Sequence, residues 1–101
     1  MNIDIAKDNG VVTARLEGRL DTAASMEVAP IFESLNQEAD KTVVLDCKAL
    51  SYISSSGLRL FLGLRKASTV KGGKVIVSGM SDDIRQVFMM TGFLNLFQIE
   101  D

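Results

Sequence analysis

Apolar and polar residues alternate through the N-terminal part of the chain, in two runs separated by a short polar turn. Ile3 and Ile5 alternate with polar residues in the first run, and apolar residues hold every second position of Val12–Leu16 in the second. The Asn9-Gly10 pair between the runs is the pair that a two-residue hairpin turn prefers. The pattern therefore predicts that a β-hairpin opens the fold.

The next segment changes to helical spacing. From Ala24 onwards, the apolar positions that share one side of a helix are Val28, Ile31, Phe32 and Leu35. Pro30 lies among them, and because proline lacks a backbone donor we expect it to begin a new helical segment or to kink the helix. A short apolar run, rich in β-branched residues, follows at Thr42–Cys47. This composition is typical of a strand covered on both faces, so we expect a central strand that ends at Asp46.

The second half of the chain predicts two further helices and two further strands. Leu58–Leu64 is apolar nearly all round, which indicates a helix buried between the sheet and another layer. Gly72-Gly73 then turns the chain into a strand at Lys74–Ser78, and a last short strand is expected near Leu96–Ile99.

The helix between these last two strands has clear end signals. Ser81 is a suitable N-cap, acidic residues follow it in the first turn, and Gly92 is suited to a left-handed stop. The helix should bury Ile84, Val87 and Phe88. We expect at least one of Met89 and Met90 to pack in the core, although flexible methionines also occur at binding surfaces.

A hairpin followed by alternating helices and strands predicts an α/β fold, with helices packed on a mixed β-sheet. A chain of 101 residues that is 47% hydrophobic suits one domain, residues 1–101.

The composition of the chain argues against several classes of function. The formal charge is −2, without a basic block, which argues against nucleic-acid binding. Cys47 is the only cysteine and histidine is absent, so neither an internal disulfide nor a structural zinc site is expected, and a reducing cytoplasm fits. The most apolar stretch is too short to span a membrane, and the N-terminus lacks the pattern of a signal peptide. No cofactor or metal is predicted.

The best candidates for a functional site are the residues Ser54-Ser55-Ser56-Gly57, just before the second helix. Hydroxyls placed there lie beside free backbone N–H groups and the positive end of the helix dipole, which favour a phosphate. Asp46 and the segment Gly18-Arg19-Leu20-Asp21 follow other strands, so we expect these loops to meet at one edge of the sheet. The surface would then combine hydroxyls, two carboxylates and an arginine.

Simpler roles exist for each of these residues. In the simpler interpretation, one serine caps the helix while its neighbours are small because the turn is tight. Asp21 can cap the first helix, and Asp46 can accept a hydrogen bond at a strand end. Serine catalysis is not expected, because the chain has no histidine base and neither Lys48 nor Lys74 has a recognisable spacing to the serines.

Two stretches resemble one known family. The segment from Asp46 to Arg59 is similar to the signature of STAS domains, the anti-sigma-factor antagonist family, and Gly18-Arg19-Leu20-Asp21 is similar to that family's second motif. The resemblance covers essentially the whole chain. It implies a non-enzymatic cytoplasmic switch protein that binds an anti-sigma factor, which is also a serine kinase, and so releases a sigma factor. Phosphorylation breaks that complex, and a PP2C-type phosphatase restores it.

The resemblance also implies roles for individual residues. The acceptor hydroxyl of the family precedes the motif glycine, which makes Ser56 the first candidate for phosphorylation and Ser55 the second. The implied partner-binding residues are Arg19, Asp21, Ser54, Ser55, Ser56, Gly57 and Arg59. Sporulation-type antagonists carry aspartate at the position of Ser54, and many relatives carry serine where Lys48 stands.

Two alternatives remain open from the sequence. One is a phosphoaspartate receiver with Asp46 as acceptor, which the N-terminal hairpin argues against. The other is a STAS adaptor or transporter-associated subunit that is never phosphorylated. Dimerisation and binding of a nucleotide or lipid are also open. On the switch hypothesis, phosphate on Ser56 leaves the fold intact and repels the partner at the interface.

Overall fold

Five strands form one sheet in the order of the chain, β1-β2-β3-β4-β5, in a computed structural model that describes residues 1–101. The strands are β1 (Asn2–Asp8), β2 (Val11–Leu20), β3 (Thr42–Ile53), β4 (Lys74–Ser78) and β5 (Gln98–Glu100). The helices are α1 (Thr22–Gln37), α2 (Ser55–Lys71) and α3 (Asp82–Met90), and Phe93–Asn95 forms a 3₁₀ turn. The β1 strand is antiparallel to β2 and the other pairs are parallel. The expected α/β fold with a mixed sheet and an N-terminal hairpin is confirmed.

The three helices cover one face of the sheet. Each parallel crossover moves one strand further in the same direction, and because such crossovers are right-handed, all of them place their helix on the same side. The core between helices and sheet includes a chain of aromatic contacts through Phe32, Phe61 and Phe88, with ring centroids 5.8 and 5.9 Å apart. On the other face no helix packs, and Val44 and Asp46 of β3 are half-buried. The expectation that β3 is covered on both faces is therefore wrong, although its central position is confirmed.

The hairpin between β1 and β2 forms at the predicted residues. Asn9 and Gly10 have φ angles of 51° and 79°, the left-handed values that a two-residue turn of this type requires at both positions. Glycine adopts them freely, and asparagine does so more easily than most residues.

The β3 strand does not end at Asp46 but continues to Ile53. Its pairing with β2 shifts register twice, with the second shift between Gly18 and Arg19 where Ser51 has no opposite residue. Leu50 and Ile53 are both buried although they are three residues apart, a spacing that would point them to opposite faces of a regular strand. The bulge at Ser51 corrects their direction, and it also hides the strand from a search for simple alternation.

The helix ends agree with the expected signals, and α1 continues through its proline. The Ser81 hydroxyl accepts a hydrogen bond from the Ile84 amide at 3.2 Å, and Gly72 and Gly92 follow α2 and α3 in the left-handed conformation. Of the two alternatives for Pro30, a new helical segment is excluded, because α1 runs as one helix from Thr22 to Gln37. The proline removes the hydrogen bond to the carbonyl of Met26, a residue on the exposed side of the helix where water can replace the lost donor.

The methionines at the end of α3 are not core residues. Met89 and Met90 are 57% and 78% exposed, so the expectation that at least one packs in the core is wrong. The inward side of α3 is already filled by Ile84 and Phe88, and Val87 is half-buried beside them.

Candidate functional site

The ends of β2 and β3 meet at one edge of the sheet, where α1 and α2 begin. The amide of Ser54 donates a hydrogen bond to the carbonyl of Leu20 at 2.9 Å, which joins the residue before α2 to the last residue of β2. The two loops therefore come together as expected. We call the residues around this junction the serine surface: Arg19, Asp21, Tyr52, Ser54, Ser55, Ser56, Gly57 and Arg59.

Ser54 caps α2. Its hydroxyl accepts a hydrogen bond from the Gly57 amide at 3.2 Å, and its backbone is extended, as the residue before a helix should be. The Ser54 carbonyl then accepts the Leu58 amide at 3.0 Å, which starts the helical ladder. A cap of this kind contributes about 1 kcal/mol. The capping role that the sequence suggested for one serine therefore belongs to Ser54.

Ser55 and Ser56 occupy the first turn of α2, where the backbone amides have no intrahelical partners. Ser55 is exposed and Ser56 is half-buried, and neither hydroxyl takes part in a side-chain hydrogen bond within the chain. Arg59 follows one helical turn later, also exposed and without an acidic partner within ion-pair distance. An added phosphate would meet free amides, the positive helix end and this guanidinium.

Gly57 allows the first turn of α2 to lie directly against the ends of β2 and β3. A Cβ atom at this position would come within 2.8 Å of two side-chain atoms of Leu20 and 3.0 Å of Ile53. Both neighbours are buried, with exposed fractions of 0% and 3%. The glycine therefore fixes how closely the serines approach the sheet.

Asp21 has a structural role at the start of α1. Its carboxylate accepts a hydrogen bond from the Ala24 amide at 2.8 Å, and its backbone carbonyl accepts from the hydroxyl of Ser25 at 2.8 Å. The N-cap interpretation made from the sequence is confirmed. Asp21 is half-buried beside the serines, where it adds one negative charge to a surface that also holds Arg19 and Arg59.

Arg19 and Tyr52 form a stacked pair beside the serines. They are opposite each other in the β2–β3 register, and the Arg19 guanidinium carbon lies 4.3 Å from the centre of the Tyr52 ring. Arg19 is exposed and Tyr52 is 40% exposed. The bulge at Ser51, whose hydroxyl donates to the Gly18 carbonyl at 3.1 Å, turns Tyr52 outward. Gly18, at φ 105°, has a backbone conformation that side chains disfavour.

The sequence pattern does not identify Tyr52 as a surface residue. The available signal was a tyrosine two residues before a serine cluster, but only the bulge decides that its ring faces solvent next to an arginine. Exposed tyrosine and arginine together are the residue types most enriched at the energetic centres of protein interfaces.

Asp46 does not belong to the serine surface. It lies eight residues before Ser54 on β3, opposite Arg15 and Ser78, and strands rise about 3.3 Å per residue. Its carboxylate accepts a hydrogen bond from the Lys48 amide at 3.0 Å, so the suggested role as an acceptor is confirmed, but inside a strand rather than at its end. The expectation of two carboxylates at the site is therefore wrong, and Asp21 alone is close to the serines.

Cys47 is buried behind Asp46, with its sulfur 3.6 Å from the Leu45 carbonyl oxygen. Burial, together with the charge of Asp46, raises the pKa of the Cys47 thiol to about 12. The thiol is therefore protonated at neutral pH and acts as a small core residue. The structure contains no cluster of three potential metal ligands, and no helix has the length and apolar character to span a bilayer.

Comparison with known proteins connects this geometry to one family. Residues 2–101 match the family described as the STAS domain. A protein of Bordetella bronchiseptica, BtrV, named as a candidate anti-sigma factor antagonist, is 29% identical over 99 residues, which are 98% of this chain and 85% of that protein. The anti-sigma-B factor antagonist of Staphylococcus aureus is 25% identical over 101 residues, covering 100% of this chain and 94% of that protein.

The fold is shared with solved antagonist structures. The unphosphorylated form of the anti-sigma factor antagonist SpoIIAA superimposes with a TM-score of 0.75 at 26% identity, covering 99% of this chain and 88% of that one. The phosphorylated form of SpoIIAA, from Bacillus, has a TM-score of 0.73 at 23% identity, covering 97% and 90%. The same fold therefore accommodates both states of that protein.

Proposed function

The chain belongs to the STAS domain family, and from that premise we propose that it is an anti-sigma factor antagonist controlled by phosphorylation of Ser56. Unmodified protein binds an anti-sigma factor that is also a serine kinase. Phosphorylated protein releases it, and a PP2C-type phosphatase restores the hydroxyl. These partners would place the protein in the cytoplasm. The observation that carries the proposal is the pair of unbonded hydroxyls in the first turn of α2.

Chemistry at the first turn of α2 supports a switch that leaves the fold intact. A phosphoserine adds about −1.5 to −2 charges at neutral pH. The free amides and the helix dipole stabilise an anion at this position, and the Ser54 cap is made by a different hydroxyl. The added charge would therefore act on a docked protein, through repulsion and the cost of removing water from the phosphate, rather than on the packing beneath.

The serine surface also has the features of a protein-binding face. Arg19 and Tyr52 provide a rigid aromatic and cationic anchor, and Arg59 lies one turn beyond the serines. The surface is positioned by helix caps and strand ends rather than by a long loop, so it needs little ordering on binding. We propose that Arg19, Asp21, Tyr52, Arg59 and the Ser54–Gly57 turn contact the anti-sigma factor.

The family pattern indicates Ser56 as the acceptor, whereas Ser55 is the more exposed of the two hydroxyls. Incubation with the anti-sigma kinase and ATP, followed by mass spectrometry of the wild type and of Ser55→Ala and Ser56→Ala, assigns the site. We expect one phosphate on the wild type, one on Ser55→Ala and none on Ser56→Ala. If Ser56→Ala is phosphorylated and Ser55→Ala is not, the acceptor is Ser55.

Binding experiments test the switch itself. Ser56→Asp should lose at least tenfold in affinity for the anti-sigma factor, because the carboxylate places charge in the interface, and Ser56→Ala should bind constitutively. Ser34→Asp is a control with the same charge change at an exposed position near the other end of α1. Equal affinity of Ser56→Asp and Ser34→Asp, with no phosphate found on protein from its native cells, would contradict the proposal and favour a constitutive adaptor.

A further inference from the structure

A second site lies on the same helix, at the end remote from the serine surface. A cavity of about 200 Å³, partly open to solvent, lies between α2, the start of β4 and the chain that enters β5. Its wall includes Arg65, Ser68 and Thr69 of α2, together with Lys74 and Gln98. An α-helix rises 1.5 Å per residue, so Ser68 lies about 20 Å along α2 from Ser55. A small molecule in this cavity would not touch the serine surface.

The cavity exists because β5 covers only part of β4. The register pairs Ile76, Val77 and Ser78 of β4 with β5, which leaves Lys74 and Val75 without a strand neighbour on that side. The chain before β5 instead turns away, and the Arg65 side chain donates a hydrogen bond to the Leu96 carbonyl. That bond joins α2 to the turn, so the walls of the cavity are held in place by a side chain that also lines it.

The cavity wall carries uncompensated positive charge. Arg65 and Lys74 line it, no acidic residue does, and neither cation lies within 4.0 Å of a carboxylate. Two cations that line one cavity without a counter-charge favour an anionic ligand, and arginine in particular suits the planar or tetrahedral oxygens of an oxyanion.

Ser68 provides an independent indication of a missing partner. It is 2% exposed, and its hydroxyl oxygen has no hydrogen-bond partner in the chain. Buried hydroxyls are nearly always bonded, commonly to the carbonyl four residues earlier in a helix. Ser25, Ser34 and Thr69 all make that bond, and Ser68 does not. One donor in the cavity wall is therefore unused.

We propose that this cavity binds a small phosphate-type oxyanion, either inorganic phosphate or the phosphate group of a small organic ester. Arg65 and Lys74 neutralise the charge, and the buried Ser68 hydroxyl rotates towards the cavity to donate a hydrogen bond to a phosphate oxygen. The volume of about 200 Å³ is several times the roughly 30 Å³ that a water molecule occupies in the liquid, which leaves room for a short organic group beside the phosphate.

Titration of the full chain at low salt tests the site, with backbone amide NMR shifts as the readout. The probes are inorganic phosphate, glycerol 3-phosphate and, as the uncharged comparison, glycerol. We expect saturable shifts at residues 65–75 and 96–98 for the two phosphates and none for glycerol. Tighter binding of glycerol 3-phosphate identifies an organic ester as the ligand type, and equal binding identifies inorganic phosphate.

Single substitutions distinguish binding in this cavity from a general attraction of phosphate to a basic surface. Lys74→Gln should weaken binding about tenfold, and Ser68→Ala about fivefold, because a charged and a neutral donor are lost respectively. Lys66→Gln removes the same charge from an exposed position of α2 outside the cavity wall and should leave the affinity unchanged. The absence of saturable shifts in the wild type, or equal weakening by Lys66→Gln and Lys74→Gln, would overturn the proposal.

Discussion

Gly57→Ala tests how the sheet positions the serine surface, because the added methyl has no room. It would lie 2.8 Å from two atoms of Leu20 and 3.0 Å from Ile53, and both side chains are buried. Overpacking of a core costs about 1–3 kcal/mol. Replacing glycine by alanine within a helix returns up to about 1 kcal/mol through backbone propensity. We therefore expect a net loss of about 0–2 kcal/mol in the free energy of unfolding.

Gly63→Ala is the matched control. It makes the same substitution in the same helix, and nothing lies within 4 Å of the added Cβ. Gly63→Ala should gain only the higher helix propensity of alanine. The free energies of unfolding of the two variants should therefore differ by about 1–3 kcal/mol, the cost of the steric conflict at Gly57. For a domain of this size each kcal/mol shifts the midpoint by roughly 4–8 °C, so Gly57→Ala should melt at least about 4 °C below Gly63→Ala.

Thermal and denaturant unfolding of the two variants measure this difference, and affinity for the anti-sigma factor is the second readout. If the side chains of Leu20 and Ile53 keep their positions, the first turn of α2 must move outward. Gly57→Ala should then bind the partner less tightly than Gly63→Ala. Equal stability and equal affinity of the two variants would refute the reasoning that Gly57 sets the position of the serines.

Three further predictions concern other parts of the chain. Tyr52→Ala should weaken binding to the anti-sigma factor by about tenfold or more in a direct titration, because it removes the ring beneath Arg19. Tyr52→Phe should retain most of the affinity. An equal loss of affinity in the two variants would exclude the stacking role. With its pKa raised to about 12, the buried Cys47 thiol should react with a thiol reagent at mildly alkaline pH only at the rate of unfolding, and fast labelling of folded protein would contradict its burial. A hydrogen bond with Lys7 lowers the pKa of the Glu38 carboxyl below its usual 4.5, so its stabilisation is present above that pH and lost as the pH falls through the lowered pKa. Denaturation of Glu38→Gln should thus be easier than that of the wild type at neutral pH and alike in strong acid, and a difference that persists in acid would count against the ion pair.

Local signals in the sequence predicted much of the fold because they act over a few residues. Asn9-Gly10 permits the left-handed turn of the hairpin, Ser81 caps α3, and Gly92 ends it. Each of these residues determines the backbone next to it, and the structure agrees with all of them.

The errors occur where contacts between distant segments override local preference. Two shifts of register allow β3 to continue past Asp46, and only its pairing with β2 shows this, because the apolar spacing of Leu50 and Ile53 does not alternate. These outcomes depend on tertiary packing, which composition and periodicity do not contain.

Local signals also predicted part of the candidate site, whereas the rest depends on tertiary structure. The capping preference located Ser54–Gly57 at the start of a helix, and the structure places the Asp21 cap beside it. Asp46 was wrongly included because the length of β3 was underestimated, and Tyr52 was missed because its direction depends on a bulge. The cavity near Ser68 combines residues from α2, β4 and β5, which no local pattern brings together.

The affinity of kinase-treated protein for the anti-sigma factor tests the central claim most directly. Protein carrying one phosphate on Ser56 should bind at least tenfold more weakly than unmodified protein, while its melting temperature and backbone amide spectrum outside the first turn of α2 stay nearly the same. Unchanged affinity, or a loss of affinity that accompanies unfolding of the domain, would contradict a switch that acts by charge at an intact surface.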